Sequence, residues 1–201
     1  AFNREPLSGK FSAGQKRQYI RQANDCGKEW AERIAEEYHT RRPGEIAAKM
    51  GIRVETPAVP VGGELVLFAQ FVQPDEITIF TDCLDKASSM EKESGCQMLN
   101  RERLFEILLA HELFHAVEER HEQEIYTRTE KVELWRKPFS NKSSIACLSE
   151  IAAMAFAAQL LGLTVSPYML DVLLVRAYDR NMAAGLFEEI CRLTEEKMRG
   201  Q

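Results

Sequence analysis

The run Leu104-Phe-Glu-Ile-Leu-Leu-Ala-His-Glu-Leu-Phe-His-Ala-Val117 constrains this chain most. Leu104, Phe105, Ile107, Leu108, Leu109, Ala110, Leu113, Phe114, Ala116 and Val117 leave little polar surface on any side, so the pattern predicts a helix buried nearly all round. Within it stand His111, Glu112 and His115. Burying two imidazoles and a carboxylate is costly unless something satisfies them. At about 3.6 residues per turn, His111 and His115 lie one turn apart on the same face. That is the H-E-x-x-H spacing, in which both rings reach one Zn²⁺. Glu112 is rotated by about 100° from His111, so it is placed to take a proton from water rather than to bind the ion. The bland alternative, an amphipathic helix carrying two His, requires a polar face that this run lacks.

A chain of 201 residues predicts one domain over 1–201, and the 45% hydrophobic fraction is enough for a core. Net charge of −5 gives no reason to expect a direct nucleic-acid contact. No apolar run reaches the roughly 18 residues of a membrane span, and Ala1-Phe-Asn-Arg-Glu-Pro-Leu-Ser8 lacks a signal peptide's layout. The 5 Cys are odd in number and form no C-x-x-C, so a reduced cytoplasmic setting is the simplest reading.

Taken in order, residues 1–12 read as an irregular arm and 13–39 as a helix. Pro43 opens a short helix that Gly51 closes. Residues 52–56 read as a strand. Gly62-Gly63 reads as a turn, and 64–72 and 76–81 as a hairpin about Gln73-Pro-Asp75. Asp82 is expected to cap a helix ending at Gly95, and Asn100 to cap the His-bearing helix. Residues 124–135 look helical and highly charged, and 137–144 look like a loop. A second apolar helix spans 145–161 and stops at Gly162. Residues 166–201 read as a helical extension starting at Ser166-Pro167, with a break near Gly185. The fold class is therefore α+β, a small twisted sheet amid mostly helical surroundings.

A catalytic zinc site usually has three protein ligands. Glu150 is the candidate third. It stands in an apolar helix with Ala153 and Ala157 on its own face, small enough for a neighbouring helix to come close. Such neighbours argue against a solvent-facing Glu150. The rival is His121, which completes H-E-x-x-H-x-x-E-x-x-H. That pattern normally carries Gly at position 118, where the chain must leave the helix. Glu118 is a good helix former, so the helix should continue and carry His121 away from the ion. The preferred ligand set is His111, His115 and Glu150, with Glu112 as catalytic base. The run 118–124 reads as a solvated helix end. Tyr38, His39, Tyr126, Tyr168 and Tyr178 are each chemically able to stabilise an oxyanion, and no spacing selects one.

His111-Glu-Leu-Phe-His115 followed by Glu150-x-x-Ala153-x-x-Phe156-Ala157-Ala158-x-Leu160-Leu161 resembles the ImmA/IrrE metallopeptidase family. Gly51-Ile-Arg-Val54, after a long and a short helix, is similar to that family's front end. The likeness covers roughly residues 15–165. It implies a zincin-like domain and an intracellular zinc-dependent endopeptidase. It also implies a protein substrate, in several members a repressor-type regulator encoded nearby. In zincins an edge strand commonly binds extended substrate, and 64–72 or 76–81 would supply it here. Phe114 departs from the family, which often has Gly there. A zincin scaffold that holds zinc but only binds a partner protein would need the same ligands.

Overall fold

Ser12 starts the first long helix. Its hydroxyl accepts the N–H of Gln15 at 3.2 Å, and the Gln15 side chain accepts the N–H of Ser12 at 2.9 Å. This capping box opens α1, Ala13–Tyr38. The computed structural model describes residues 2, 5–58, 67–95, 99–135, 141–164, 168–178, 183–185, 187, 188 and 191. α2 (Pro43–Lys49) follows, with Gly51 at φ 70° just beyond it. Strands β1 (Arg53–Glu55), β2 (Ala69–Val72) and β3 (Glu76–Ile79) come next. The helical part continues with α3 (Thr81–Ser94) and α4 (Arg101–Arg120).

The remaining elements are α5 (Tyr126–Thr129), β4 (Lys131–Trp135), β5 (Asn141–Ser144), α6 (Cys147–Leu161) and α7 (Tyr168–Tyr178). Mostly helices with two small sheets make this an α+β fold. No helix among the described residues is long and apolar enough to cross a membrane.

The first sheet has the order β1-β3-β2. β2 and β3 pair antiparallel, with Phe71 opposite Ile77, and β1 lies parallel to β3 on its other side. β3 is therefore central, and of the two strands expected to offer an edge only β2 has one among the described residues. The sheet packs on α4, as the hairpin pattern requires if Ile77 and Ile79 are to be buried. Gly62-Gly63 and residues 64–66 lie outside the described residues, as does the Ser166-Pro167 helix start. The expected break near Gly185 falls where description is partial, and Gly185 itself is helical.

α4 forms as its apolar run dictates. The Asn100 side chain accepts the N–H groups of Glu102 and Arg103, both at 3.2 Å, which satisfies two orphan donors of the first turn. Leu104, Leu113, Phe114 and Val117 are fully buried in the main core, with Phe156 and Leu160 of α6, Ile34 of α1 and Leu174 of α7. Phe114 meets Phe156 with ring centroids 5.5 Å apart, so the bulky residue at the departing position fills the α4–α6 interface.

Three expectations are corrected. The stretch 124–135 is one helical turn and a strand, and the supposed loop includes β5, which pairs with β4. β4 pairs with β5, Lys131 opposite Ser144 and Val132 opposite Ser143, and strand pairing won over helix propensity. Asp82 does not cap α3. Phe80 is its N-cap, without a side-chain bond, and Asp82 sits inside the first turn, 3.0 Å from Lys86. The irregular arm is packed where it is described. Phe2 and Phe11 meet edge to face at 6.0 Å in a small core with Ile145 and Ile151, and the Glu5 carboxylate accepts the N–H of Cys147 at 3.0 Å. A residue from the arm thus caps α6, whose own N-cap, Ala146, has no side chain able to do so.

α1 and α6 approach each other closely at Gly27. A Cβ there would lie 2.1 Å from the backbone oxygen of Ala152. Gly27→Ala is expected to destabilise the fold by about 1–3 kcal/mol or more, because neither helix backbone can give way locally. A thermal melt should show a fall of roughly 2–12 °C for a chain of this size. An unchanged midpoint would mean that the two helices do not pack this tightly.

Candidate metal centre

The buried face of α4 carries His111 and His115 toward the first turn of α6, where Glu150 stands. His111 Nε2 and His115 Nε2 are 3.3 Å apart. Glu150 Oε2 is 3.4 Å from His111 Nε2, and Glu150 Oε1 is 3.6 Å from His115 Nε2. One ligand atom from each residue lies within 4.8 Å of the others, so the three can hold one metal ion. These are the three residues singled out in the sequence. Two imidazole nitrogens that face each other and a carboxylate form a nitrogen and oxygen donor set that suits a divalent ion.

The environment of Glu150 differs from expectation. Its side chain is 59% exposed, whereas Ala153 and Ala157 are fully buried. The apolar residues of α6 pack inward, and Glu150 reaches the His pair from the solvent-facing rim. The His111 imidazole beside it holds its carboxyl below the usual carboxylate range, against the opposing effect of burial.

Glu112 is 8% exposed and shares the cleft with the His pair. Burial pushes its carboxyl above the usual range. The charges of His111 and His115 and a hydrogen bond from the Phe71 backbone pull the other way without cancelling the rise. Such a group holds a proton more readily than a surface glutamate, as a general base requires. Phe71 of strand β2 lines the same cleft as the base.

The cleft measures about 740 Å³. Ala69, Gln70, Phe71 and Gln73 line one wall, and Thr127, Arg128, Ser144 and Ile145 line the other. β2, whose outer edge has no strand on it among the described residues, thus lines the same cleft as the three ligands. None of Tyr38, His39 and Tyr126 lines the cleft, and the Tyr126 hydroxyl instead donates to Gln22 at 3.0 Å. Tyr168 and Tyr178 begin and end α7, and their side chains lie outside the described residues.

His121 does not join the metal group. Glu118 continues the helix as expected, but α4 ends at Arg120, so His121 is its C-cap rather than a residue within it. The His121 ring stacks on Trp30 with centroids 4.5 Å apart, and its Nδ1 lies 2.6 Å from Glu124 Oε1.

Residues 119–124 are exposed or half-buried at the end of α4, as expected, and Glu118 alone departs from that reading. It is 1% exposed and receives Arg128 at 3.1 Å and the Ser149 hydroxyl at 2.9 Å. Burial alone would raise its pKa, but His115, Thr127, Arg128 and Ser149 around it hold it below the usual range. On His115 burial acts downward, and Glu118, Glu112 and Glu150 outweigh it and hold the imidazole above its ordinary value. Glu118 follows His115 by three positions, so it shares the ligand face of the helix. That spacing was the available signal.

Comparison with protein-family models, curated proteins and solved structures gives no match. The chemistry of the centre therefore rests on its own residues.

Proposed function

We propose that this protein is a zinc-dependent endopeptidase of zincin-like architecture. The observation that carries the reading is the meeting of His111, His115 and Glu150 beside buried Glu112, in a cleft lined by β2, an edge strand among the described residues. A tetrahedral Zn²⁺ with bonds of roughly 2.0–2.1 Å sets its ligand atoms about 3.3–3.4 Å apart. The two imidazole nitrogens, 3.3 Å apart, meet that requirement, and Glu150 sets one oxygen 3.4 Å from His111 and the other 3.6 Å from His115, so one ligand atom from each residue lies within 4.8 Å of the others. Bound there, Zn²⁺ supplies Lewis acidity that polarises a carbonyl and makes water nucleophilic at neutral pH.

The chain's own residues do the rest. Glu112 takes the proton of the attacking water as its oxygen bonds to the scissile carbon. It passes that proton to the amide nitrogen as the C–N bond breaks. The outer edge of β2 offers backbone groups to an extended peptide, which would lie along it as an added strand. The resemblance to the ImmA/IrrE family supports an intracellular, cytoplasmic setting and a repressor-type regulator as substrate. Cys26, Cys83, Cys147 and Cys191 are free thiols, in keeping with that setting.

The test pairs metal analysis of the purified chain with a cleavage assay on the product of the neighbouring gene. About one zinc per chain is expected, with cleavage that a chelator abolishes and added Zn²⁺ restores. Bound zinc without cleavage of that partner or of unstructured peptides would make the chain a silent binding module.

A further inference from the structure

Beside the ligand pair runs a polar chain, set in the same cleft, that lies outside the three-residue metal group. It begins at Arg128, whose Nη2 is 3.1 Å from Glu118 Oε2. The same carboxylate oxygen is 2.9 Å from Ser149 Oγ, and that hydroxyl is 3.1 Å from His115 Nδ1. Glu118 is buried and ion-paired, and an ionised carboxylate only accepts hydrogen bonds. The single proton of Ser149 must therefore go to Glu118. Only lone pairs of Ser149 then face His115, so Nδ1 has to be the nitrogen that carries hydrogen. In a neutral imidazole this leaves Nε2 unprotonated. Nε2 is the atom that faces His111 Nε2 and Glu150 Oε1.

We infer that Glu118, acting through Ser149, is a positioning residue that fixes His115 in the tautomer and ring orientation a metal requires. The inference rests on the metal reading of the centre. A carboxylate behind a ligating His is a general device for orienting the ring. Here it works through a hydroxyl carried by the residue next to Glu150, so one hydrogen-bond chain also ties the two ligand-bearing helices together at the ion. Ser149 is placed for this by its helix, one position before the ligand. Glu118 is placed by its own, three positions after His115.

The test uses the full chain, freed of metal, with Zn²⁺ itself as probe in competition against a chromogenic chelator. Ser149→Ala removes the relay. Glu118→Gln keeps the shape, but an amide can donate to Ser149 and let its proton turn toward Nδ1. Both variants are expected to bind Zn²⁺ about 10–100-fold more weakly than wild type. Ser149→Thr retains the hydroxyl and should restore near-wild-type affinity. The metal-free melting temperature of Ser149→Ala should stay where it is. Wild-type affinity in Ser149→Ala would overturn the inference. So would an affinity loss confined to variants whose metal-free form melts early, since that is what a merely structural role predicts. A wild-type chain that takes up no Zn²⁺ would overturn the metal reading, and this inference with it.

Discussion

Glu112→Gln is expected to keep its zinc and lose about 10²–10⁴-fold in kcat/KM. Glu112 is rotated by about 100° from His111, so its removal subtracts nothing from the ligand set. Gln has nearly the same shape, so the wall of the cleft should not move. What it cannot do is take a proton from water. The substitution should also leave the fold as stable as before, or more so. A carboxylate that is 8% exposed incurs a desolvation cost that a neutral amide largely avoids. The expected pattern is therefore unchanged zinc content, an equal or higher melting temperature, and a collapsed turnover. Wild-type turnover in a zinc-loaded Glu112→Gln chain would remove Glu112 from the reaction and leave the endopeptidase reading without its base.

That pattern of a costly residue kept in place also explains what could be read from the sequence. Polar groups that break an apolar run are visible because their burial needs a reason. His111, Glu112 and His115 stood out for that reason, and α4 forms with the Asn100 cap its sequence predicts. Local signals also located α1, α2, the β2–β3 hairpin and the stop of α6 at Gly162. Each depends on residues within a few positions of one another.

Long-range contacts were not legible in the same way. Gly27 looks like a weak point in α1, and its reason is the backbone of Ala152, far away in the chain. Glu5 reads as part of an irregular arm, and its partner is the first N–H of α6. β5 has no apolar alternation of its own and becomes a strand only because β4 pairs with it. Glu118 is intermediate. Its spacing from His115 was on view, but a cluster of charges near a helix end gave no hint that Arg128 and Ser149 close over it. Glu150 was recognised for an incomplete reason. Its small neighbours Ala153 and Ala157 serve the helix packing, while Glu150 itself projects from the rim toward the His pair.

The choice between Glu150 and His121 gives the second large effect. Glu150→Ala removes one of three ligands and should weaken zinc binding by more than about 100-fold, beyond the range that outer-shell changes reach. No nearby group is placed to replace it, since among the described residues only His111, His115 and Glu150 form such a group. The variant should fold normally, because a side chain that is 59% exposed contributes little packing. His121→Ala should do the opposite. Its ring lies on Trp30, which Arg33 covers 4.2 Å from the ring centre, and its Nδ1 meets Glu124, which also binds Arg33. Losing the ring contact is expected to cost about 0.5–1.5 kcal/mol of stability and to leave zinc content unchanged. The two variants, measured side by side for bound zinc and for melting temperature, should therefore fail in different assays. Zinc lost in His121→Ala and kept in Glu150→Ala would require the turn after Arg120 to swing His121 to the ion. The centre would then be metzincin-like, and the proposed kinship with the ImmA/IrrE family would fall with it.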